Sequence, residues 1–147
     1  MQELRTPLSG THACGLIVLA LCLTGCSRDP FACVPVSGTV TLDGEPLSTA
    51  RVIFSPQGDG KSAIVGPMSY CITDDQGRFE LATPYGESGA VAGSHKISIC
   101  GEVRDEENPR VVLKKEYLPA RYWQGDTLTF DVPNHGTDEA HFALDSK

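Results

Sequence analysis

The chain has 147 residues, 40% of them hydrophobic and 21% charged, which allows one domain plus a leader and lies far from a disordered composition. Fifteen glycines and ten prolines in so short a chain favour many turns, and therefore many short strands. The formal net charge of −7 excludes a nucleic-acid partner and electrostatic docking on an anionic membrane, both of which need clustered Lys and Arg.

Ala13 to Leu23 is an apolar run of 11 residues, within the range of a signal-peptide core and too short to span a membrane. The run ends in Leu23-Thr24-Gly25-Cys26, which resembles the lipobox of bacterial lipoproteins, where Leu, a small residue and Gly or Ala precede a cysteine. The resemblance implies that residues 1–25 are a signal peptide and that the Cys26 thiol takes a diacylglyceryl group. It also implies acylation of the new N-terminus after cleavage. Several chains at about 0.8 kcal/mol per buried methylene make a durable anchor, whereas one chain is marginal. The expected location is the extracytoplasmic face of the cell envelope, in contact with membrane lipid. Ser27 after the cysteine, in place of aspartate, favours an outer membrane. Residues 26–35 read as a lipidated tether.

Cys33, Cys71 and Cys100 remain beyond Cys26. Three thiols cannot all pair within one chain, and none of their spacings is the close C-x-x-C of a zinc or redox site. No metal and no cofactor are expected.

From Val36 the hydrophobic period is two, the mark of half-buried strands. The run 36–42 sets Val36, Gly38, Val40 and Leu42 against Ser37, Thr39 and Thr41. The run 50–56 puts Ala50, Val52 and Phe54 on one face, and 68–74 is expected to turn Met68, Tyr70 and Ile72 inward and Cys71 outward. Phe79 and Leu81 mark the inner face of 77–82, and Ile97 and Ile99 that of 94–100. Leu128, Phe130 and Val132 are buried from 127–133, and Phe142 and Leu144 from 140–145. Seven short strands separated by turn residues predict an all-β, seven-stranded antiparallel β-sandwich. The best helical candidate is a turn or two within 109–119, bounded by Pro109 and Pro119.

The segments SGTVTLDGEPLSTARVIFSP and TDDQGRFEL carry a resemblance. They are similar to the carboxypeptidase regulatory-like domain, a module of the transthyretin (prealbumin)-like sandwich. Gly38, Val40, Gly44, Pro46, Leu47, Ala50, Val52, Thr73, Asp74, Gly77 and Phe79 occupy its motif positions, and His95 stands where that family often has tyrosine. The resemblance covers roughly 36–145 and implies a non-catalytic module; with a transthyretin-like strand order, the strand at 50–56 separates Cys71 from Cys100 and no disulfide joins them. The enzyme that resembles transthyretin, hydroxyisourate hydrolase, needs a C-terminal Tyr-Arg-Gly-Ser and early histidines, whereas this chain ends FALDSK and has no histidine between His12 and His95.

The residues themselves point the same way. Asp43-Gly44 and Asp75-Gln76-Gly77 supply tight reversals, and TDDQG lacks the dozen-residue spacing of a calcium loop. His135 falls in a hairpin loop, His141 faces solvent opposite Phe142, and His95 shares a face with Ile97 as a histidine satisfied by backbone. No Gly-x-Ser-x-Gly elbow supports a hydrolase. The acidic stretch 102–110 reads as a solvated loop; the alternative makes the longer connection 103–126 a contact surface, whose aromatics are either pegs or contacts. Tyr122 is expected as a peg, and Trp123 and Tyr117 are the candidate ligand contacts. The partner would be a protein or polysaccharide of the cell envelope.

Overall fold

The alternation at 36–42 becomes a strand whose Val36, Gly38 and Val40 are buried while Ser37, Thr39 and Thr41 stay half-buried. The same logic recurs through the computed structural model, which describes residues 31–58, 64–105, 107–125 and 127–147. In chain order the first elements are β1 (Cys33–Val34), β2 (Val36–Leu42), β3 (Glu45–Pro46), β4 (Arg51–Pro56), β5 (Ser69–Ile72) and β6 (Arg78–Glu80). There follow β7 (Ala90–Val91), β8 (Gly93–Cys100), β9 (Val103–Arg104), β10 (Val112–Lys114), α1 (Ala120–Trp123), β11 (Leu128–Val132) and β12 (Thr137–Leu144). Each of the seven runs read from the sequence overlaps one of these strands, with β8 and β12 starting earlier than their runs.

Two four-stranded sheets form the body. One has the order β11-β8-β4-β5 with every neighbour antiparallel. The other has the order β12-β2-β3, with β6 also paired to β2. Their inner faces share one apolar cluster, with Val52, Phe54, Ile97 and Ile99 from the first and Val36, Val40, Phe142 and Leu144 from the second. Phe54 lies 6.0 Å from Phe142, 5.9 Å from Phe130 and 6.3 Å from Phe79, centroid to centroid. Such pairs add about 0.5–1.5 kcal/mol each beyond the area they bury. Phe130 and Phe142 meet edge to face at 6.0 Å, as the alternation of their strands implies.

Turn chemistry sets the registers. Asp43 and Gly44 both take positive φ, 52° and 86°, the two-residue reversal that matches strand twist. Thr73 is buried, and its hydroxyl donates to Leu47 O at 2.6 Å and accepts from Ala50 N at 2.9 Å. Asp74 Oδ1 accepts from the backbone N–H groups of Gln76 and Arg78 at 2.8 and 2.9 Å. At Gly77, φ is 70° and a Cβ would fall 2.4 Å from Val40 O, so only glycine fits.

Four expectations are corrected. First, β12 runs parallel to β2, with Phe142 beside Val40 and Leu144 beside Leu42, so the fold is not wholly antiparallel. Alternation has the same period in either direction; it selects a face and leaves direction open. Second, β5 is turned over: Met68, Tyr70 and Ile72 are exposed, at 42%, 42% and 53%, while Ser69 is 1% exposed. Ser69 pairs with Phe54 and Cys71 with Val52, and a period of two then forces the apolar set outward. Third, 109–119 is not helical. It holds β10, and Pro119 caps α1 at its N-terminal side with φ −55°, where its missing N–H costs nothing. The 103–126 connection is therefore a β9–β10 pair followed by one helical turn. Fourth, the end of the tether belongs to the fold, since Cys33 and Val34 pair with Val91 and Ala90. Cys26 and the signal peptide lie outside the described residues.

Candidate functional site

The outer face of the first sheet gathers the residues with most to offer a partner. Tyr70 stands beside Ile53 and Ile72 beside Arg51 across the β4–β5 pair, and Arg51 stands beside Cys100 across the β4–β8 pair. Over β8 lies α1. Its Tyr122 is buried and accepts a hydrogen bond from Asp145 N at 2.9 Å through its hydroxyl. Arg121 lies over the Tyr122 ring at 4.7 Å and donates to Asp145 O at 2.8 Å. Successive helical residues point about 100° apart, so pegging Tyr122 inward leaves Trp123 outward, 40% exposed.

Trp123 lines a cleft of about 270 Å3 with Arg51, Cys100, Glu102 and Glu116. A second cleft of about 280 Å3, lined by Arg51, Ile53, Met68 and Tyr70, shares Arg51 with it. Both carboxylates of the first cleft are engaged. Glu116 accepts from the backbone N–H groups of Gly101, Glu102, Tyr117 and Leu118 at 2.9–3.3 Å, and Glu102 pairs with Arg104 at 2.6 Å. Among the described residues the Arg51 guanidinium has no hydrogen bond or ion pair. Burial and then the Glu116 charge push the Cys100 thiol above its ordinary pKa, with Arg51 pulling the other way, so this is not an activated nucleophile.

Tyr117, the other candidate contact, is half-exposed but does not line these clefts. Lys114 Nζ sits 3.9 Å over its ring, and the ring packs so closely on Gly101 that a Cβ there would fall 2.4 Å from Tyr117 Cε1. Sequence reasoning missed Arg51 and Ile53. The available signal was an isoleucine on the outward face of the 50–56 run, opposite Val52 and Phe54.

In comparisons with known proteins, the chain matches no family model, no curated protein and no solved structure. Its chemistry must be judged on its own geometry.

A roomier cleft, about 670 Å3, lies where β2, β5 and β6 meet and is lined in part by Thr39, Cys71, Asp74, Arg78 and Glu80. Asp74 is bonded to its own turn and to Arg78 Nε at 2.9 Å, and the Arg78 backbone N–H holds its carboxyl below the usual range. Burial pushes the Cys71 thiol up, as do the Glu80 and Asp74 charges. Thr39 Oγ1 lies 2.9 Å from His141 Nδ1, a contact created by the parallel β2–β12 register. Among the described residues no carboxylate hydrogen-bonds to His141, so the pair lacks the orienting third group of a nucleophilic site. His135 is exposed in the turn closed by the Gly136 N–Pro133 O bond. His95 is fully buried, with Nδ1 2.9 Å from Gly93 O. Among the described residues no group of three or more His, Cys, Asp or Glu side chains could hold a metal ion.

Proposed function

We propose that this chain is a membrane-anchored extracytoplasmic lipoprotein whose domain is a non-catalytic binding or accessory module. On this reading residues 1–25 are removed and acylated Cys26 holds the protein to envelope lipid, with an outer membrane favoured. Residues 36–145 form a transthyretin-like sandwich of the carboxypeptidase regulatory-like type, its seven main strands joined by the two-residue β3 and its last strand parallel to β2. The lipobox supports the anchor, and the Thr73–Gly77 turn with two sheets on one core supports the family.

The observation that carries the function is the outward Trp123 beside an Arg51 that has no partner among the described residues. Aromatic and guanidinium groups dominate recognition surfaces, and a tryptophan serving only as a peg would lie in the core as Tyr122 does. The engaged Asp74 and Glu116 and the raised thiols of Cys71 and Cys100 support a module without catalysis.

Cys26→Ala tests the anchor: the protein should be released soluble or stall as an uncleaved precursor, and normal processing with normal membrane retention overturns the lipoprotein reading. Trp123 is the single tryptophan, so protein labelled with 5-fluorotryptophan gives one fluorine resonance. That resonance should shift or broaden when detergent-solubilised envelope from its own cells is added. An unmoved line overturns recognition through this cleft.

A further inference from the structure

An antiparallel sheet with one face on a core normally carries polar residues on the other. The β4–β5 half of the first sheet reverses this. Met68, Tyr70 and Ile72 are exposed beside half-buried Ile53, while Ser69 faces the core with an Oγ that has no hydrogen-bond partner among the described residues. With Trp123, the face is built from Trp, Tyr, Met and Arg, the residue types enriched at the centres of protein interfaces.

Resting on the binding-module reading, we infer that this face docks a partner protein, other than a second copy of this chain, that lays an acidic side chain flanked by apolar ones onto Arg51. Charge complementarity selects the occupant. Among the described residues the guanidinium has no partner; it has Ile53, Met68 and Tyr70 on one side and the engaged Glu102 and Glu116 of the Trp123 cleft on the other, and it presents the planar fork that a carboxylate fits in two bonds. Docking through the same face, a second copy would bring another Arg51 and only the already engaged Glu116 and Glu102. A glycan needs hydrogen-bonding groups around its aromatic platform, and the Tyr70 side offers Ile53 and Met68 beyond Arg51.

The test places the photocrosslinker p-benzoyl-phenylalanine in the full-length protein, in its own cells, at position 70 or at position 85. Position 85 is the control, since Tyr85 is highly exposed and lines neither cleft. Position 70 should give an adduct with one different protein, lost with Arg51→Glu and retained in part with Arg51→Lys. With that partner purified, Arg51→Gln should weaken binding at least tenfold. Replacing the partner's contacting acidic residue by lysine should restore binding to Arg51→Glu. Ile72→Ser, at an exposed position, should lower the adduct yield without moving the thermal midpoint, which keeps the test decisive if Arg51→Glu folds poorly. An adduct with a second copy, an adduct with polysaccharide, or an adduct that survives both substitutions overturns the inference. An adduct at 85 but not at 70 overturns this docking face and leaves the binding module standing, whereas no adduct at either position removes both.

Discussion

Replacing His95 with phenylalanine is expected to flatten the acid limb of the stability profile while changing stability at pH 7.5 by no more than about 2 kcal/mol. His95 is fully buried and its ring lies 5.6 Å from that of Phe54. The Gly93 carbonyl accepts, so Nδ1 carries the hydrogen. Nε2 then presents a lone pair that has no partner among the described residues. Removing the imidazole forfeits one bond, worth about 0.5–1.5 kcal/mol, and relieves an unpartnered nitrogen that costs about 1–3 kcal/mol. Protonating Nε2 would bury a cation against Phe54. Burial therefore holds the imidazole below its ordinary value of 6.5, with the Gly93 carbonyl and the Asp131 charge drawing it partly back. The folded protein binds this proton less readily than the unfolded chain does. Stability is thus complete above about pH 6.5 and falls below it, by at most about 1.4 kcal/mol per pH unit. The carboxyls of Asp43, held low by Ser146, and of Asp74, held low by the Arg78 N–H, lose their contribution only in stronger acid, below the ordinary 3.8. Urea unfolding of wild type and His95→Phe at pH 7.5, 6.5, 5.5 and 5.0 separates the two ranges. If the variant keeps the wild-type loss between pH 6.5 and 5.0, the buried neutral imidazole is not its source and the reasoning fails.

Phe142→Ala and Phe54→Ala should each cost about 3–5 kcal/mol, a large share of a small domain's total of about 5–15 kcal/mol. His135→Ala and His141→Ala, at exposed positions, should stay within about 0.5 kcal/mol of wild type; thermal melts of the four variants decide, and phenylalanine variants that melt like wild type would show the core to be misassigned. Cys71 and Cys100 sit on strands separated by β4, about 9.5 Å apart across two strand spacings, beyond disulfide reach. Non-reduced peptide mapping should find no Cys71–Cys100 link, and a linked pair would refute the strand order.

Much of the fold was legible because it is written locally. Period-two alternation located all seven runs, and Asp43-Gly44 and Thr73 to Gly77 announced their turns through residue types that tolerate positive φ or bond their own backbone. The inverted β5 was not legible, because its facing is decided by non-local pairing: the Thr73 hydroxyl must reach Leu47 O and Ala50 N, and that contact outweighs the pull of Met68, Tyr70 and Ile72 toward the core. The direction of β12 was hidden for the same kind of reason. Pro119 was read as the end of a helix when its geometry suits a beginning. Trp123 was legible as a candidate contact, but Arg51 beneath it emerges only when β4, β8 and α1 are brought together.

The parallel union of β2 and β12 also sets a timetable. Thr39 and His141 lie 102 residues apart in sequence, so β2 acquires this neighbour only when almost the whole chain is available, and contacts of such separation slow folding. β3 and β6 can join β2 earlier, through nearer chain. The second sheet therefore closes last, and on the exported reading the polypeptide stays threadable until its C-terminus has cleared the membrane. A chain stopped before Thr137 would leave the Gly38 edge of β2 without a neighbour and the aromatic cluster without Phe142, an open strand exposed to whatever other chains are nearby.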